Sequence, residues 1–187
     1  MMRNPAYKPW YMARKRHHQN RRINPVYYVF CEGKTEEEYI KLLRQHFRKP
    51  ITIKSYTDGN RISARRINAV FPPEERSEKD RIFFLYDCDD GLLAKLQAQK
   101  GTLLVSNPCI ELWFLLHYQP VQANLSCDDC KNQLLHHRPE YKKGVLSPQL
   151  QQDLIQYRQS ACERARTLQH HHNPSSTIYR LIELWED

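Results

Sequence analysis

Residues 26–31 read Val-Tyr-Tyr-Val-Phe-Cys, apolar, aromatic or β-branched throughout. The chain then passes at once into Glu32-Gly33-Lys34-Thr35-Glu36-Glu37-Glu38. An unbroken run of that kind is the pattern of a strand buried on both faces, as in parallel sheets covered by helices. Thr35 followed by Glu38 predicts a capping box that opens a helix. A strand leading straight into an acidic turn and a helix restricts the chain to the α/β class. It also leaves Glu32 at the carboxyl end of a buried strand. A charge there is costly without a partner, and open α/β sheets bind their ligands just outside that end of their strands.

A second segment repeats the arrangement. Arg81-Ile-Phe-Phe-Leu-Tyr is followed by Asp87-Cys88-Asp89-Asp90. Asp87 and Asp89, two residues apart, can aim at one point from an extended or turning backbone. Hard cations such as Mg²⁺ or Mn²⁺ prefer oxygen ligands, and Mg²⁺ often takes one or two carboxylates with water and phosphate completing the shell. An isolated Asp-x-Asp also describes a solvated turn. Glu32 at the end of a separate strand shifts the reading toward metal.

The rest of the chain alternates. A helix is expected over 36–48, a strand over 51–55, a turn at Asp58-Gly59 and a helix over 61–71 that Pro72-Pro73 stops. Arg61, Arg65 and Arg66 on that helix form either a substrate face or an ordinary solvated surface. Strands over 81–86 and 102–105 flank a weakly periodic helix over 92–100. Such alternation predicts a parallel sheet with right-handed crossovers. Glu32 and the Asp87/Asp89 pair meet only if their strands are neighbours. The order 2-1-3-4 satisfies this in a Rossmann-like four-stranded sheet, with the carboxylates at the switch point.

From Asn107 the pattern is helical. Asn107 is suited to N-cap a helix with Pro108 at its first position, and 112–118 carries its apolar face. Further helices are expected over 126–136, 148–171 and 177–185, with Pro174-Ser175-Ser176 as the start signal of the last. The expected organisation is an arm (1–25), an α/β core (26–118) and a helical extension packed on it (119–187). Glu111 falls in the first turn of the helix after the fourth strand, on the same rim as Asp87. It either complements the helix dipole or adds a ligand to the site.

Charge is unevenly distributed. Seven of the 29 Lys and Arg lie before Glu32, including Arg14, Lys15, Arg16, Arg21 and Arg22, in a stretch without Asp or Glu. Nearly all of the net +8 is therefore in the arm. With Tyr7, Trp10 and Tyr11 among its charges, the arm suits phosphate backbones and base stacking, or is a solvated tail. The expectation is a cytoplasmic protein with reduced thiols. It shows no apolar run of membrane length, no signal peptide and no regular cysteine framework. Cys127-Asp-Asp-Cys130, with His136 and His137 nearby, has the spacing of half a zinc site, but no second pair closes it. His170-His171-His172 reads as a polar helix end. Neither Gly33 nor Gly91 lies in a phosphate-loop frame, which argues against ATPase activity in this chain.

Cys31-Glu32-Gly33-Lys34-Thr35-Glu36 with Asp87-x-Asp89 resembles the TOPRIM domain shared by topoisomerases, primases and OLD-type nucleases. Ser106-Asn-Pro-Cys-Ile-Glu-Leu-Trp113 and Asn173-Pro-Ser-Ser-Thr177 narrow the similarity to the RloB-like family, whose members lie near bacterial restriction and defence genes. The likeness runs from about Val26 to the C-terminus. It implies a nuclease in which Glu32, Asp87, Asp89 and Glu111 hold Mg²⁺ or Mn²⁺, and in which Glu32 doubles as general base. Lys142 or Lys143 would offset transition-state charge, and Lys34 with the arm would contact DNA or RNA. It also implies an ATPase partner encoded nearby. The alternative is a non-catalytic nucleic-acid-binding partner in such a complex. The chain is too short for the extra domains that topoisomerases and primases use.

Overall fold

The computed structural model describes residues 25–48, 52–57, 61–88 and 90–186, with the backbone alone at 52–56, 90 and 91. Asp89 and the arm, with Arg14, Lys15, Arg16, Arg21 and Arg22, lie outside them. The elements are β1 (Val26–Cys31), α1 (Lys34–Phe47), β2 (Thr52–Thr57), α2 (Ala64–Val70), β3 (Arg81–Asp87), α3 (Asp90–Gln97), β4 (Thr102–Asn107) and α4 (Ile110–Leu115). They continue with α5 (Cys127–His137), α6 (Pro148–Gln156), α7 (Arg158–Arg166), β5 (Ser175–Ser176) and α8 (Tyr179–Glu186).

One sheet runs β2-β1-β3-β4-β5. Its first four strands are parallel, in register from Tyr27 opposite Arg81 and from Asp87 opposite Ser106. The purely parallel, four-stranded expectation is corrected at one edge. Ser175 and Ser176 form an antiparallel strand opposite Asn107 and Ser106. These residues are not the start of the last helix. Their hydroxyls and that of Thr177 have better partners in β4. Ser106 and Ser176 share a buried hydrogen bond of 2.9 Å, and Val105 N–H donates to Thr177 Oγ1 at 2.8 Å. The Ser-Asn-Pro and Asn-Pro-Ser-Ser motifs, far apart in sequence, are thus two sides of one ladder.

Alternate residues of the central strands face opposite layers, as the period of two requires. Val26, Tyr28, Phe30, Phe84 and Tyr86 pack with Ile62, Ile67, Phe71, Leu92 and Leu96 beneath α2 and α3. Val29, Cys31, Phe83, Leu85 and Leu104 join a larger cluster with α1 and α4 to α8, and that cluster spans both sides of residue 118. Every residue of α4 is buried. The helix is enclosed by β4, β5, α5 and α7, so its apolar residues run all the way round instead of along one face.

Several helix boundaries move. The helix expected over 148–171 breaks at Tyr157, where the Arg158 guanidinium takes the Ile155 carbonyl at 2.8 Å and the Glu186 carboxylate at 2.8 Å. Thr35 and Glu38 do not cap α1. Gly33 is the N-cap, and its N–H donates to Glu36 Oε2 at 3.0 Å. Thr35 Oγ1 is engaged elsewhere, accepting Gly144 N–H at 2.8 Å. Asn107 does not cap α4 either. It still belongs to β4, its side chain donates to the His171 carbonyl at 2.9 Å, and the N-cap is Cys109.

Candidate active site

The carboxyl ends of β1, β3 and β4 form the rim on which the acidic residues meet. Strand pairing carries on past β1: Glu32 N–H donates to the Leu85 carbonyl at 3.0 Å, which fixes Glu32 beside the end of β3. Its Oε2 then accepts Asp87 N–H at 2.9 Å. Asp87 Oδ1 in turn accepts Ile110 N–H at 2.8 Å, so a carboxylate from β3 supplies the acceptor that α4 lacks in its own cap. One residue on, Glu111 is 3% exposed, and its Oε1 accepts the Tyr141 hydroxyl at 2.8 Å. Glu36, also 3% exposed, completes the group from the first turn of α1. One oxygen of each of the four accepts a hydrogen from the protein, and the second oxygens of Glu32, Asp87 and Glu111 have no donor among the described residues.

Electrostatics follow from this crowding. Burial, then the charges of Glu32, Glu36 and Glu111, push the Asp87 carboxyl up to about 8 from its ordinary 3.8, against the opposing charge of Lys143. Burial also raises Glu36, with Glu32 adding to the effect. Like charges without a cation between them behave in this way. Lys143 is itself held in its charged form by Glu111, Asp87 and Glu36, against the cost of its own partial burial.

Of the expected site residues, Glu32 and Asp87 are joined by a hydrogen bond and Glu111 lies near enough for its charge to act on Asp87, whereas Asp89 lies outside the described residues. Lys142 is exposed and pairs through its backbone with Val145. Lys143 is the cation felt at Asp87 and Glu36. Lys34 is exposed at the first position of α1, and its side chain runs beside Gly144, where an added Cβ would lie 3.4 Å from Lys34 Cδ. Gly144 has φ +82, a conformation that favours glycine. It lets the 141–144 turn dock on α1 through Thr35 and deliver Tyr141 and Lys143 to the rim.

Glu36 and Tyr141 were not among the expected site residues. Glu36 could have been found as the N3 acid whose carboxylate reaches back to the N-cap N–H at Gly33, on the rim beside Glu32. For Tyr141 no local signal exists, because its partner is 30 residues away. Beside the site, the Cys109 thiol lies by Cys130 and Cys127, and the Cys130 contact and burial raise its pKa. All six thiols are free. Among the described residues, no three or more His, Cys, Asp or Glu side chains gather into a group able to hold a metal ion unaided, and no helix is long and apolar enough to cross a membrane.

One family model, described as RloB-like protein, matches residues 27–184. No curated protein and no solved structure matches the chain.

Proposed function

We propose, from the premise that the chain belongs to the RloB-like family, that it hydrolyses phosphodiester bonds of DNA or RNA with Mg²⁺ or Mn²⁺. The observation that supports this is the run of contacts linking Glu32, Asp87, Ile110 and Glu111 across three strand ends. The donor set fits a hard cation: four carboxylates, of which Glu32, Asp87 and Glu111 each keep an open oxygen, on a partly buried rim. Mg²⁺ needs only one or two protein carboxylates when water and substrate phosphate complete its shell. A three-ligand cage is therefore not required. A bound divalent ion supplies a more acidic water and offsets charge on the scissile phosphate.

The chain's own residues do the rest. Glu32, Asp87 and Glu111 would hold the ion, joined by Glu36, and by Asp89 as the resemblance implies. The open oxygen of Glu32 is placed to take a proton from the attacking water as its oxygen adds to phosphorus and the bond to the leaving oxygen breaks. The Lys143 ammonium faces the developing negative charge. Tyr141 fixes the orientation of Glu111 through its hydroxyl. Because Asp87 holds a proton near neutrality without a cation, ion binding releases it and strengthens as pH rises.

A place in bacterial antiviral defence, alongside an ATPase partner, belongs to the same proposal and rests on the family resemblance. The second reading, a non-catalytic nucleic-acid-binding partner, draws on the lack of a preassembled metal group among the described residues. Incubating the protein with duplex DNA, single-stranded DNA and RNA in Mg²⁺, Mn²⁺ or EDTA separates the two. Cleavage in Mg²⁺ or Mn²⁺, absent in EDTA and in Glu32→Gln, is expected. Binding without cleavage of any substrate would establish the second reading.

A further inference from the structure

The loop that joins α7 to β5 carries His170, His171 and His172, and it is tied to the carboxylate rim. Asp87 pairs with Ser106, and the next residue, Asn107, holds the His171 carbonyl through Nδ2 at 2.9 Å. Neighbouring strands lie about 4.8 Å apart, so the loop is roughly 10 Å from Asp87, about three steps of about 3.4 Å along a duplex. His171 has φ 64, in the left-handed region that a non-glycine residue occupies at a cost. Strain of this sort persists where surrounding structure imposes it, and it concentrates at working surfaces. Asn173 adds a further clamp, exchanging two hydrogen bonds with the Leu125 backbone at 2.7 and 3.1 Å.

The clamped loop positions one cation. Arg180 is exposed in the first turn of α8, where a positive charge opposes the helix dipole and no acidic residue compensates it. Its Nη2 donates to His170 Nδ1 at 3.2 Å, so His170 carries its proton on Nε2 and donates to the Tyr179 hydroxyl at 3.1 Å. The guanidinium also lies over the Tyr179 ring, 5.9 Å from its centroid. Arg166 shares that ring but is paired with Glu183. Arg180 has no carboxylate partner among the described residues. It is a preorganised guanidinium, held by the loop that Asn107 ties to a rim that must hold an anionic strand against its own negative charge.

We propose that Arg180, positioned by His170 and Tyr179, binds a backbone phosphate of the nucleic acid on the β4–β5 side of the site. This deepens the nuclease reading and rests on it. The contact recognises phosphate, so it acts equally on all sequences.

The test is the salt dependence of binding to labelled DNA and RNA oligonucleotides without divalent cation, so that the probes stay intact. Arg180→Ala and Arg180→Gln should each bind roughly three- to tenfold more weakly at low salt and reduce the slope of log affinity against log salt by about 1. Arg180→Gln keeps a donor toward His170, so a loss in this variant reports the charge itself. Arg158→Ala removes a guanidinium already paired with Glu186 and should leave the slope unchanged. Wild-type affinity and slope in Arg180→Gln would overturn the assignment while leaving the nuclease reading standing. An equal loss in Arg158→Ala would also overturn it, since net charge alone would then explain the effect. Failure of the wild type to bind any probe would overturn both.

Discussion

Asp87→Asn tests the electrostatics of the rim independently of any cleavage. In the metal-free protein Asp87 is raised from 3.8 to about 8 by burial and by Glu32, Glu36 and Glu111. A carboxyl with a raised pKa keeps its proton in the fold at pH values where the unfolded chain has lost it. The contribution of Asp87 to stability is therefore greatest below about pH 4 and is lost as pH climbs to about 8, where it levels. At about 1.4 kcal/mol per pH unit the shift sets an upper bound of about 5–6 kcal/mol. Water reaching the half-buried group reduces this to on the order of 2–3 kcal/mol. The Asn side-chain oxygen still accepts Ile110 N–H, so the change removes the charge and keeps the cap. In EDTA at pH 8 the variant should melt about 5–10 °C above the wild type, at about 2–4 °C per kcal/mol for a chain of this size. The difference should shrink toward pH 5. Adding Mg²⁺ should raise the wild type at pH 8 by mass action and the variant much less. Melting curves followed by circular dichroism across this pH range are sufficient. Parallel pH profiles for the two proteins in EDTA would refute the reasoning, as would a variant less stable than wild type at pH 8.

Two further outcomes are expected. Lys143→Ala should lose most cleavage activity, whereas Lys142→Ala should stay within about twofold of wild type, because of these two exposed lysines it is Lys143 whose charge acts on Asp87 and Glu36; equal losses in a nuclease assay would place both lysines at the rim. Deleting residues 1–22 removes all seven of the basic residues before Glu32, and it should flatten the salt dependence of nucleic-acid binding while leaving the melting temperature nearly unchanged.

The parts of this molecule legible in the sequence are those written in contiguous residues. The aromatic and β-branched runs of β1 and β3, each ending in a carboxylate, specify buried strands and a site at their ends. What could not be read locally depends on partners far along the chain. Asn107 has every local mark of an N-cap, yet it extends β4 because Ser175 pairs with it and His171 takes its amide. Asp87 does the capping from another strand. Pro174-Ser175-Ser176 resembles a helix start until Ser106 and Val105 supply partners that a helix could not. Thr35 and Glu38 have the spacing of a capping box, but the 141–144 turn claims Thr35. The choice between Lys142 and Lys143 is likewise settled far along the chain, by which lysine the charges of Asp87, Glu36 and Glu111 act on.

The stitching of β5 onto β4 bears on how the protein is made. Ser106 and its partner Ser176 are 70 residues apart, and Gly144 reaches back 109 residues to Thr35. At roughly 5–20 residues per second on the ribosome, a nascent chain that has exposed β1 to β4 waits about 4–14 s for the strand that closes its edge. Until then the Asn107 and Arg180 side of the rim has no floor. The carboxylates exist before the surface that would hold a strand against them. On the proposed nuclease reading, a chain made in this order lacks the proposed Arg180 phosphate contact until β5 and α8 have emerged.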